Sequence, residues 1–81
     1  MIANLNKSEL RTLTEYLSQV DIYLNRIIEQ GEERLPCYVT VSPEVAGTLA
    51  TIIYELRQIK HILTPILATA HAARNASMSK E

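Results

Sequence analysis

Two stretches of the chain place apolar residues at alternating intervals of three and four. The first holds Leu10, Leu13, Leu17, Val20, Leu24 and Ile27; the second holds Val45, Leu49, Ile52, Leu56, Ile59, Leu63, Ile66, Ala70 and Ala73. With 3.6 residues per turn, that spacing keeps one stripe of a helix facing a neighbour turn after turn. Few architectures use two such stripes in a short chain. The pattern predicts an all-α protein whose helices pack lengthwise as an antiparallel hairpin.

The first helix is expected to begin near Lys7. Asn6 is a good cap, Glu9 three residues later completes a capping box, and Leu5 and Leu10 take the two hydrophobic-staple positions. It is expected to stop near Gln30, because Gly31 suits the left-handed conformation that ends helices and Glu32-Glu33-Arg34 interrupts the apolar period. The second helix opens with Ser42 as cap and Pro43 at the first helical position, where a missing N–H costs nothing. The stripe continues in phase from Leu63 to Ile66 across Pro65, which predicts one helix over about 43–75, kinked at the proline. Residues 1–75 then form a single domain, and 76–81 are expected to be a disordered tail.

Between these helices, residues 31–42 read as a long connection with a short extended segment at 35–41. Leu35, Cys37, Val39 and Val41 alternate with Pro36, Tyr38 and Thr40, and the β-branched content favours a strand. On these boundaries the second helix outruns the first by about nine residues, leaving roughly 13 Å of apolar stripe uncovered. Two hairpins dimerising into a four-helix bundle would cover it. The residues expected at that oligomer interface are Leu49, Ile52, Leu56, Ile59, Ile62, Leu63, Ile66, Leu67 and Ala70.

Composition narrows the chemistry. An 81-residue chain buries a small core, and with Cys37 as its one cysteine it has no internal disulfide to compensate, so a second subunit is the expected source of stability. The lone thiol and the absence of a leader-like N-terminal pattern point to the cytoplasm. Ile62 to Ala73 carries no formal charge, but a run of about 12 residues is too short to span a bilayer. The net charge of −1 gives no reason to expect nucleic acid, although all but one of the charges after Leu56 are basic.

Catalytic and metal-binding patterns are missing. No glutamate has a histidine three residues on, and His61 and His71 stand ten apart, so one helix does not aim both at a single ion. Gly31 and Gly47 are the only glycines and form no phosphate loop. Cys37 has no adjacent base or helix start to activate it and reads as a small apolar residue on the inward side of the strand. No enzyme activity, cofactor or metal is expected.

What remains is binding. The expected function is that of a small non-enzymatic homo-oligomer, a regulator, adaptor or assembly factor that binds another protein. The candidate partner-binding residues are Tyr16, Gln19, Ile22, Tyr23, Arg26, Arg57, Lys60 and His61. The alternative is a DNA-binding regulator. Leu35-Pro36-Cys37-Tyr38-Val39-Thr40-Val41-Ser42-Pro43-Glu44-Val45, followed by a helix, resembles the opening of ribbon-helix-helix repressors over about residues 35–56. That resemblance implies a dimeric transcriptional regulator whose paired 35–41 strands enter the major groove. The outward strand positions would be Pro36, Tyr38 and Thr40, which lack base-reading side chains, so no DNA-contacting residue carries over.

Overall fold

The computed structural model describes residues 4–79, with side chains described over 4–76. Among these residues the chain is two helices, α1 (Lys7–Val41) and α2 (Pro43–Ser79), joined by Ser42 alone. They lie antiparallel in an all-α hairpin measuring 58 × 18 × 14 Å. The start of α1 follows the sequence signal: the Glu9 N–H donates to Asn6 Oδ1 at 2.8 Å, and the Asn6 N–H donates to Glu9 Oε1 at 3.1 Å. The capping box thus satisfies two backbone donors that a bare helix start would leave to water.

The end of α1 corrects the sequence reading. The helix does not stop at Gln30 but runs to Val41, through Gly31 and Pro36, and there is no strand at 35–41 and no loop at 31–42. Gly31 marks a close approach rather than a terminus. A Cβ at that position would lie 3.0 Å from Ile53 Cγ1 and 3.1 Å from Ile53 Cδ1, so the absent side chain is what lets α2 sit against this turn. Pro36 removes one backbone donor, and Tyr38-Val39-Thr40-Val41 is a poor helical sequence. The helix persists because Gly31 and Leu35 continue the inward face of α1, and packing outweighs propensity once a partner helix is present. The last turn closes when the Ser42 N–H donates to the Tyr38 carbonyl at 2.8 Å.

Ser42 then serves the second helix as well. Its hydroxyl accepts from the Val45 N–H at 3.4 Å, and Pro43 occupies the first helical position as expected. α2 is continuous across Pro65 and reaches Ser79, four residues beyond the expected end at Asn75. Of the expected disordered tail, 76–79 are therefore helical, while 80 and 81 lie outside the described residues. The overhang also disappears, since the helices are 35 and 37 residues long. The inference of a second subunit from unequal helix lengths has no basis in this geometry.

The core is a single seam. Leu10, Thr14, Leu24 and Ile28 of α1 are buried against Ala46, Ile53, Leu63 and Ala70 of α2. Thr14 is 0 % exposed, and its hydroxyl donates to the Leu10 carbonyl one turn back at 2.8 Å, so no polar group is stranded. Half-buried Leu17, Leu35, Leu49, Leu56 and Leu67 extend the seam along both helices. One seam leaves much uncovered. The hairpin exposes 6077 Å², whereas surface–mass scaling gives a compact chain of its size roughly 4,900 Å².

Candidate interaction surface

The three-four alternation that predicted one stripe per helix proves to be two columns of period seven. On α1 the column Leu10, Leu17, Leu24 turns inward, and Leu13, Val20, Ile27 lies about 60° round the helix. On α2 the column Leu49, Leu56, Leu63, Ala70 turns inward, and Val45, Ile52, Ile59, Ile66, Ala73 lies at the same offset. Because the helices run antiparallel, equal offsets in the same sense bring both outer columns to one broad face of the hairpin. A groove between the helices is lined from α1 by Ile27, Arg34 and Tyr38 and from α2 by Leu49, Ile52 and Leu56, placing the two columns beside each other.

This face is apolar and open. Tyr16, Tyr23, Ile27 and Tyr38 of α1 and Val45, Ile52, Ile59, Ile62 and Ile66 of α2 are all exposed, Ile62 at 65 %. Arg34, Glu44 and Glu55 are the charged groups that interrupt it in the half of the hairpin nearer the turn, and none of them forms an ion pair among the described residues. Contiguous exposed aliphatic surface of this length is uncommon on a protein that works alone.

The opposite broad face is polar and internally bonded. Ser18, Asn25 and Glu32 recur every seven residues on α1, and each meets α2. Ser18 Oγ and His71 Nε2 lie 3.4 Å apart, the Lys60 ammonium donates to Asn25 Oδ1, and the Arg57 guanidinium pairs with the Glu32 carboxylate. Asn25 Nδ2 also donates to Asp21 at 3.5 Å. The Arg57–Glu32 pair is about half exposed on each side, so it adds little stability. The set instead fixes how far one helix lies along the other.

The expected site residues therefore part company. Of the expected oligomer interface, Leu63 and Ala70 are buried against α1, and Leu49, Leu56 and Leu67 are half-buried in the same seam. Ile52, Ile59, Ile62 and Ile66 stay exposed on the apolar face. The candidate partner-binding residues fall in three places. Tyr16 and Tyr23 rim the apolar face, Gln19, Ile22 and Arg26 lie on the outer side of α1, and Arg57, Lys60 and His61 belong to the polar face. Arg57 and Lys60 already bond across the hairpin. Cys37 is exposed on α1 rather than facing inward from a strand.

Sequence reasoning missed Leu13, Val20, Arg34, Tyr38 and Glu55 as members of one surface. The signal was available in their heptad spacing, Leu13-Val20-Ile27-Arg34 on one helix and Val45-Ile52-Ile59-Ile66 on the other. Among the described residues there is no cluster of three or more side chains suited to a metal, and no helix is long and apolar enough to cross a membrane. Compared with models of protein families, with curated proteins and with solved structures, the chain matches none.

Proposed function

We propose that this chain is a non-enzymatic homodimeric protein of the cytoplasm, a regulator, adaptor or assembly factor that acts by binding another protein. The observation that carries the reading is the contrast between the two broad faces: one is bonded to itself by polar side chains, and the other presents unpartnered isoleucine and tyrosine. The hairpin exposes about 1,200 Å² beyond the expectation for a compact chain of its mass. That excess, doubled for two subunits, falls within the range of obligate homodimer interfaces. A second hairpin laid on the apolar face completes a four-helix bundle. The outer side of α1, with Ile22 between Gln19 and Arg26, then remains for the partner protein.

Sedimentation velocity at micromolar protomer concentration tests the dimer. A species of twice the chain mass is expected, and a well-folded monomer would rule the reading out. A ribbon-helix-helix arrangement has no strand to pair, because the 35–41 segment it requires is the last part of α1.

A further inference from the structure

We infer that the second copy docks with its turn at the same end as the first, α1 of each hairpin lying against α2 of the other, in a register set by Arg34 of one chain and Glu55 of its partner. This rests on the homodimeric reading above and goes beyond it by assigning orientation and register. Two face-to-face arrangements satisfy two-fold symmetry. In one the axis runs along the hairpin, so both turns share an end and α1 meets α2 of the partner. In the other the axis crosses the hairpin, so the turns lie at opposite ends and each helix meets its own copy.

Levels along the hairpin decide between them. Glu32 meets Arg57, Asn25 meets Lys60, Ser18 meets His71 and Gly31 abuts Ile53, so a position on α1 is level with a position on α2 whose number makes up a nearly constant total. Arg34 and Glu55 thus lie within about one turn of the same level. Arg34 continues the Leu13-Val20-Ile27 column beside the groove, and Glu55 sits toward the outer edge of α2 on the same face. When the turns share an end, α1 at Arg34 lies against the partner's α2 at the level of Glu55, and the guanidinium meets the carboxylate twice, once on each side of the axis. Charge pairs across an interface select partner orientation more than they add affinity. In the inverted arrangement Glu55 would instead meet the level of Ile66 and Thr69 of the other copy, with no basic group beside it.

Side-chain size agrees with charge. With shared ends, Tyr16 comes level with Thr69 and Ala73 of the partner, Tyr38 with Thr48, Val20 with Ile66, and Ile27 with Ile59. These two tyrosines of α1 meet small groups of α2, where a bundle needs them to interdigitate, and at the other two levels aliphatic meets aliphatic. The threonines accept this role without a polar penalty, because Thr48 and Thr69 each bond a carbonyl of their own helix, Glu44 at 3.2 Å and Pro65 at 2.9 Å.

The native Cys37 gives a direct test, being exposed and lying near the turn. A nitroxide placed on it is about 13 residues, or roughly 20 Å, from the middle of α1. Pulsed dipolar spectroscopy on the labelled full chain should give one distance of about 25–35 Å if the turns share an end, from helix spacings of 8–10 Å plus two label arms. A distance of about 40–50 Å, twice the axial offset, overturns the register while leaving the dimer standing. A monomer with no intermolecular distance overturns both. Mixing Arg34→Glu chains with Glu55→Arg chains separates pairing between subunits from pairing within one: each variant alone sets like charges together, and only the mixed dimer restores both pairs. Mixed dimers should exceed their statistical share several-fold, and a purely statistical mixture overturns the Arg34–Glu55 contact.

Discussion

Replacing Gly31 with alanine tests whether that glycine is there for the approach of α2. In a helix interior Gly→Ala ordinarily gains about 1 kcal/mol through backbone entropy. Here the new Cβ would stand 3.0 and 3.1 Å from Cγ1 and Cδ1 of Ile53, which is itself 7 % exposed. Carbon atoms prefer about 3.5–4.0 Å, so α2 or the Ile53 side chain must move by several tenths of an ångström. Overpacking of that kind costs about 1–3 kcal/mol, which leaves Gly31→Ala destabilised by about 1 kcal/mol after the helical gain. Gly47 supplies the control, because a Cβ there meets nothing within 4 Å. Gly47→Ala should stabilise by about 1 kcal/mol, so the two glycines should differ by about 2 kcal/mol. Urea unfolding followed by far-UV circular dichroism reads this, at one protomer concentration for all variants, since the stability of an oligomer depends on it. In an Ile53→Ala background the clash is gone and Gly31→Ala should stabilise. If Gly31→Ala stabilises the unmodified chain as much as Gly47→Ala does, or if its effect is unchanged by Ile53→Ala, the close-approach argument fails.

Three further outcomes are expected. Asn6→Ala removes one half of the capping box and should cost about 1 kcal/mol, measured by the same unfolding curves; an unchanged midpoint would mean the α1 start contributes nothing. Ile59→Lys should leave the helical signal intact at high concentration while weakening self-association at least tenfold in sedimentation equilibrium, whereas Gln19→Lys on the outer side of α1 should not; equal effects would remove the apolar face from the interface. Thr14→Val should change stability by less than about 1 kcal/mol, because the lost hydroxyl takes its hydrogen bond with it and the shape is kept. A larger loss would show that the bond to Leu10 matters to the seam beyond satisfying a buried oxygen.

Asn6, Glu9, Ser42 and Pro43 made both helix starts legible in the sequence, because capping is local chemistry that reads the same in any fold. The end of α1 was not legible for the converse reason. A glycine that terminates a helix and one that admits a neighbouring helix look identical until the neighbour is placed, and Pro36 with three β-branched residues added weight to the wrong side. Continued inward spacing at Ile28, Gly31 and Leu35 was the one local hint. The apolar surface was half legible. Periodicity assigns angles round a helix, but Leu49 and Ile52 differ by only about 60°, and only the position of α1 decides which is covered. The grouping of Arg57, Lys60 and His61 with the tyrosines failed for the same reason, since residues on one helix were sorted without knowing where the other crossed them.

Ser42 ends one helix and begins the next with no residue to spare, and that economy restricts how the molecule can move. Packed helices commonly rearrange by sliding past one another, as far as a full turn. A one-residue link forbids such travel: shifting α2 along α1 would require unwinding the tip, including the Ser42 bonds to Tyr38 and Val45. The motion left to the pair is angular. With the turn as pivot, the helix ends opposite it in the 58 Å hairpin would make the largest excursion as the angle between the two arms changes.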